Sequence, residues 1–231
     1  MAAKKQRFVE RRRAKPNFDR DTSSFVRKLE KKSFLIVCEG ENTEPSYFNK
    51  FKLSTATVKA IGEGYNTLSL VNRTAEIVEE EKTKGRIYDF VWCVFDRDSF
   101  SAKEFNEAIR QAEANGYSVA YSNQAFEYWF ILHFEDHQGG GLNRKEYDNK
   151  INSYLNPLKC QYAGKQSKLV SDDFFEIMLA IDMKTQKSRQ DLAINRAKRV
   201  LKFHEEEGIP PEGAESSTAV FKLVEEMKKY I

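Results

Sequence analysis

The stretch Val91-Trp92-Cys93-Val94-Phe95-Asp96-Arg97-Asp98 decides how the chain is read. Five apolar residues, mostly β-branched or aromatic, run directly into two acids separated by a single residue. A short apolar run bounded by polar residues is expected to form a strand buried on both faces, as in a parallel sheet. The C-terminal end of such a strand is where open α/β sheets place their ligands, and an oxygen-rich cluster there suits a hard cation such as Mg²⁺. Alone, Asp-x-Asp is more often a solvated turn that caps the next helix. A second stretch of the same design shifts that balance: Ser33-Phe-Leu-Ile-Val-Cys38 leads into Glu39 and Gly40. Two strand ends then deliver three carboxylates, Glu39, Asp96 and Asp98.

Around these two strands the chain alternates. Thr43 is placed to cap a helix that Pro45 opens. Glu44 lies in its first turn, where the helix dipole favours an acid, and is given a structural role. A strand is expected over 57–61 and a helix from Asn66 or Thr67 to about Lys84. Another helix runs from Ser101 to Asn115, and a fourth strand covers Tyr117–Tyr121. The order predicts an α/β fold with a mainly parallel four-stranded sheet between helices. Ser122-Asn123 should cap a helix from Gln124 to about Phe134 that is apolar nearly all round, hence buried. Within it Glu127 has two open readings, an internal salt bridge or a carboxylate serving a metal site. His133 reads as a hydrogen-bonded core histidine. After Gln138-Gly-Gly-Gly141 the chain turns more helical and more charged. Helices are expected over about 143–155, after Ser171, over 187–206, and after a Ser216-Ser217 cap. The expected organisation is a basic arm (1–32), an α/β core (33–135) and a helical C-terminal extension packed on it (136–231).

Composition narrows the function classes. With 231 residues, 40% hydrophobic and 13% aromatic, the chain can bury a core and is not wholly disordered. No apolar run reaches transmembrane length and no apolar segment backs the basic N-terminus, so a soluble, cytoplasmic protein without membrane contact is expected. The three cysteines form no CxxC or Cys/His spacing. Net charge of +3 conceals an asymmetry: residues 1–32 hold 12 Lys/Arg against 4 Asp/Glu, the remainder 26 against 31. The basic head, with Arg11, Arg12 and Arg13 at its centre, is a candidate nucleic-acid arm, since such arms bind phosphates with little sequence preference. Phosphate-loop, GxSxG and Cys/His nucleophile patterns are missing. Metal-dependent phosphoester chemistry is then the most economical class, with Mg²⁺ or Mn²⁺ held by Glu39, Asp96 and Asp98. Glu39 and Glu127 are the candidate catalytic acids, and Arg97, Lys165 and Lys168 the candidate phosphate contacts.

A glutamate after strand one with Asp-x-Asp after strand three resembles the Toprim fold of topoisomerases, primases and OLD-type nucleases. The longer string Val37-Cys-Glu39-Gly40-Glu-Asn-Thr43-Glu44-Pro45-Ser-Tyr47-Phe48, with Asp96-Arg-Asp98 and Ala125-Phe-Glu127-Tyr-Trp129-Phe-Ile-Leu-His133-Phe134, resembles the RloB-like family. The Asn195/Ala197 helix and Ser-Ser-Thr218-Ala-Val220-x-x-Leu223-Val224 extend that resemblance. It implies a Toprim-related protein of restriction or abortive-infection loci, often beside an ATPase partner. Glu39 then corresponds to the catalytic glutamate, Asp96 and Asp98 to metal ligands. The expectation is a Mg²⁺-dependent nuclease of a phage-defence system, acting on RNA or DNA. Two rivals stand beside it: a non-enzymatic nucleic-acid-binding or regulatory subunit of an ATPase-containing complex, and a small-molecule phosphohydrolase.

Overall fold

The computed structural model describes residues 31–64, 67–97, 101–138 and 140–231, except for the side chain of Lys165. Arg11, Arg12, Arg13 and Asp98 lie outside the described residues. Lys31–Ile231 form one compact unit. In chain order its elements are β1 (Lys32–Cys38), α1 (Thr43–Phe48), β2 (Ala56–Gly62), α2 (Thr67–Thr83), β3 (Phe90–Arg97), α3 (Ala102–Ala114), β4 (Ser118–Asn123) and α4 (Glu127–Phe134). Then follow α5 (Tyr147–Leu155), α6 (Asp172–Leu179), β5 (Ile181–Asp182), β6 (Lys187–Ser188), α7 (Arg189–Glu206), β7 (Ser217–Thr218) and α8 (Val220–Lys228).

The sheet order is β2-β1-β3-β4-β7. The first four strands are parallel, as the alternation of elements predicts. From β1 the chain steps outward to β2, then returns across β1 to lay down β3 on the other side. The direction of winding therefore reverses between β1 and β3, and the crevice beyond their C-terminal ends is the position where open sheets bind ligands. The backbone at this crevice is tied across the two strands, Glu39 N–H donating to Val94 O at 2.9 Å.

Both faces of the sheet are covered. Cys93 and Phe95 point to one side, where Cys93 meets Thr74 of α2 and Phe95 meets Phe105 of α3 edge-on. On alternate positions Phe34 and Phe90 stack on each other and pack on Tyr230, just past α8. Because successive strand residues face opposite sides, Asp96 belongs to this second side. There α1, α4 and α6 lock together through aromatic rings: Tyr47 lies edge-on to Phe48, Phe51, Phe126 and Phe175. Burying each such ring contributes about 1.5–3 kcal/mol. Trp129 Nε1 donates to Tyr47 Oη at 2.9 Å, so the polar atoms of the two largest rings in the cluster satisfy each other.

Four expectations are corrected. A fifth strand exists: Ser216 and Ser217 do not cap the last helix, Ser216 Oγ accepting from Leu142 N–H and Ser217 Oγ donating to Ala214 O, and Ser217-Thr218 pair antiparallel with Asn123 and Ser122. Ser122 and Thr218 join hydroxyls at 3.0 Å, and Ala219 N–H donates to Tyr121 O. Cross-strand hydroxyl pairing of this kind helps to hold a strand of only two residues. Ser122 and Asn123 likewise belong to β4 rather than to a helix cap, and α4 begins only at Glu127. Thr43 is the first helical residue and not a cap, and α1 starts without any side-chain cap. Finally, Lys187-Ser188 form a strand of a short hairpin before α7, and Ser188 caps that helix by accepting from Asp191 N–H.

Candidate functional site

Four elements converge on a cleft of about 280 Å³ at the β1/β3 crevice. Glu39 comes from the end of β1 and Asp96 from the end of β3. Glu44 comes from the first turn of α1, and Glu127 from the first residue of α4. The two strand-end acids are adjacent: Asp96 N–H donates to Glu39 Oε2 at 3.2 Å. Gly40 is required directly beneath this arrangement, because a Cβ there would run into the Glu44 carboxylate. Gly62, at the end of β2, is required for the same reason one layer further out, where a Cβ would meet the Gly40 carbonyl.

Burying several acids together disfavours their charged forms. Glu44 is 4% exposed. Burial, added to the nearby charge of Glu127, pushes its carboxyl up from 4.5 to about 7, against the opposing pull of backbone N–H groups and Lys168. Asp96 keeps some surface open to solvent, yet the protein around its carboxyl desolvates it. Together with Glu44, Glu127 and Glu39, that burial raises it well above the usual aspartate range, opposed by Arg144. Glu127 is oriented by Tyr162, whose buried hydroxyl donates to Oε1 at 3.0 Å and lies 3.3 Å from Thr43 Oγ1. Tyr162 is itself fixed by a two-bond clasp with Asn152. Among the described residues Glu127 makes no salt bridge, and its partner is the Tyr162 hydroxyl.

The sequence-based candidates divide clearly. Glu39, Asp96, Glu127 and Lys168 all line the cleft. Arg97 closes β3 opposite Asn123 and is not among the lining residues. The backbone of Lys165 lies in a 3-10 turn, Gly164–Gln166. Two further residues line the cleft that the sequence reading did not single out for it. Glu44, assigned to helix capping, is instead the most deeply buried of the four acids. Its signal was present, since Glu44, Tyr47, Phe48 and Phe51 recur at i, i+3, i+4 and i+7, placing the acid on the core face. Arg144 also lines the cleft, and nothing in its charged surroundings sets it apart. Its backbone is pinned there by Gln124 Oε1, which accepts from Arg144 N–H at 3.0 Å. His133 is the core histidine expected: its Nδ1 is 2.9 Å from Trp129 O, and burial lowers its pKa to about 3.

Glu39, Glu44, Asp96 and Glu127 offer only carboxylate oxygens, the donor type a hard divalent cation takes. Among the described residues no three His, Cys, Asp or Glu side chains are drawn together into a ready coordination group. The chemistry of the donor set fits Mg²⁺ or Mn²⁺; the ligand geometry is not formed by these residues alone. No curated protein matches the chain. The family model of the RloB-like proteins, by contrast, matches residues 34–227 and so spans every acid of the cleft. The chain belongs to the RloB-like protein family.

Proposed function

We propose that the cleft is the active site of a divalent-cation-dependent phosphodiesterase, a nuclease with the Toprim-like arrangement of acids. The observation that carries this reading is the crowding of Glu39, Glu44, Asp96 and Glu127 at the β1/β3 crevice, with Glu44 lifted to about 7 and Asp96 also raised well above its usual range. Such an arrangement is costly unless positive charge offsets it. Glu39 and Asp96, adjacent on the two strand ends, would hold the cation, with Asp98 the expected further ligand. Mg²⁺ or Mn²⁺ at that position would polarise a phosphoryl oxygen and lower the pKa of bound water.

The chain's own residues supply the rest. Glu44, whose carboxyl burial and the Glu127 charge raise to about 7 in the metal-free protein, would act as the general base toward an attacking water. Tyr162 keeps Glu127 turned toward the cleft. Arg144 and Lys168 bring positive charge to the same space, where it would favour the charge that builds on a phosphoryl group in the transition state. The family resemblance adds the setting to this proposal: a restriction or abortive-infection locus, often with an ATPase partner beside it.

Calorimetric titration of Mg²⁺ and Mn²⁺ tests the reading independently of substrate. The wild type is expected to bind, and Asp96→Asn to lose binding while melting cooperatively. Equal metal binding by the folded variant refutes the site.

A further inference from the structure

A second cleft of about 200 Å³ adjoins the first, sharing Glu127, Arg144 and Lys168 with it and adding Lys145, Tyr147 and Asp148. The two differ in sign. Among the described residues five acids, Glu39, Glu41, Glu44, Asp96 and Glu127, face two cations in the first. Three cations, Arg144, Lys145 and Lys168, face two acids in the second. A ligand spanning both therefore meets a negative compartment, then a positive one, with Arg144 and Lys168 at the boundary. These two side chains are exposed, but their loops are anchored. Gln124 holds the Arg144 backbone, and the segment after Lys168 is tied to α1 where Val170 N–H donates to Ser46 Oγ at 2.9 Å.

We infer that the second cleft is a subsite for the phosphate flanking the scissile one, and that the substrate enters both clefts as a single strand. This rests on the phosphodiesterase reading and names its substrate class. Glu44 is recessed, 4% exposed, Glu39, Asp96 and Glu127 are half-buried around it, and the first cleft is small. A duplex keeps its phosphates on the outside of a stiff cylinder with stacked bases behind them. A single strand can thread its backbone into a groove and turn its bases away. A negative compartment repels phosphate on its own, so the positive one beside it is what retains the strand.

The test measures binding of a short labelled single strand and of its blunt duplex to the full chain, across a salt series with Ca²⁺ present. Lys168 has a left-handed backbone (φ 57° at Lys159, 55° at Lys168), so Lys168→Asn is the variant of choice, asparagine tolerating that conformation. The wild type is expected to bind the single strand about tenfold or more tighter than the duplex. Lys168→Asn and Arg144→Gln should each weaken single-strand binding and flatten the slope of log K against log salt by about 0.7, the value of one phosphate contact. Lys202→Ala, a charge loss on α7 that lines neither cleft, should leave the slope unchanged. The basic arm contributes equally to every variant and cancels. Unchanged slopes in both folded cleft variants, duplex binding as tight as single-strand binding, or no binding to either strand overturn the inference. Turnover of bis(p-nitrophenyl) phosphate with Mn²⁺, in the same preparations, judges the phosphodiesterase reading separately: a wild type inert to the small diester sinks hydrolysis without touching the salt slopes.

Discussion

Replacing Glu44 by glutamine should make the metal-free protein increasingly more stable than the wild type as the pH rises above about 4.5. The carboxyl sits at about 7 when folded against 4.5 as an ordinary glutamate. A folded-state pKa raised in this way leaves stability intact below about pH 4.5 and erodes it as the pH rises from there to 7, because the unfolded chain gives up the proton that the folded chain still holds; above 7 the loss levels off. At about 1.4 kcal/mol per pH unit, the loss reaches about 3 kcal/mol by pH 8. Glutamine carries no charge at any pH, so Glu44→Gln escapes this loss. Removing the Glu44 charge also eases ionisation of Asp96, whose proton is held partly by that charge, which acts in the same direction. The assay is urea unfolding of both proteins in chelator between pH 4 and pH 8. The stability difference, variant minus wild type, should grow by about 3 kcal/mol over that range. In melting temperature this is about 6–12 °C for a domain of this size. The absolute offset depends on how the new amide fits the backbone N–H groups around it, but the change with pH does not. Curves that run parallel would refute the account of Glu44 as an acid kept protonated by burial and crowding.

Three further outcomes are expected. Gly40→Ala should destabilise by about 1–3 kcal/mol, since the added methyl collides with the Glu44 carboxylate; chemical denaturation measures it, and a neutral result would mean the carboxylate is free to swing away. Tyr47→Phe should cost about 1–3 kcal/mol by leaving the buried Trp129 Nε1 without an acceptor, with a shift in tryptophan fluorescence as the second readout. Glu81→Gln should make stability less sensitive to acid. Arg86, Lys84, Lys59 and Tyr88 gather on Glu81, with Arg86 Nε at 2.5 Å, and hold its carboxyl far below the usual range. The wild type therefore loses this contribution as the pH falls, the opposite direction to Glu44, and an acid-unfolding midpoint unchanged by the substitution would sink the point.

The parallel sheet was legible because its strands are buried on both faces and carry unbroken apolar runs: Phe34–Cys38 and Trp92–Phe95 have almost no exposure. Two of the site acids were legible for the same reason, as carboxylates placed directly after such runs. Glu44 was harder, since the residue that opens a helix and the residue that faces a cleft can be the same glutamate, and capping is the commoner reason for an acid there. The β7 strand could not be read from its own residues. Two residues carry no periodicity, and Ser217-Thr218 become a strand only because the edge of β4 offers partners. Arg144 is held at the cleft by a hydrogen bond from its backbone N–H to Gln124 Oε1, twenty residues earlier, a relation that exists only once the chain is packed.

The carbonyl of Tyr230 accepts from the backbone N–H groups of Ser54 and Thr55, immediately before β2, while the Tyr230 ring lies against Phe34 and Phe90. With β7 sealing the edge of β4, contacts made near residue 230 close a sheet whose first strand is laid down near residue 32. On the ribosome, a chain that has emerged only as far as α7 therefore has all four parallel strands but an unsealed border on β4 and an uncovered aromatic pair. An open strand edge of that kind invites pairing with another chain, and contacts so distant in sequence are slow to form. Nascent chains of this protein are expected to be most dependent on chaperones in the interval between completing β4 and releasing α8.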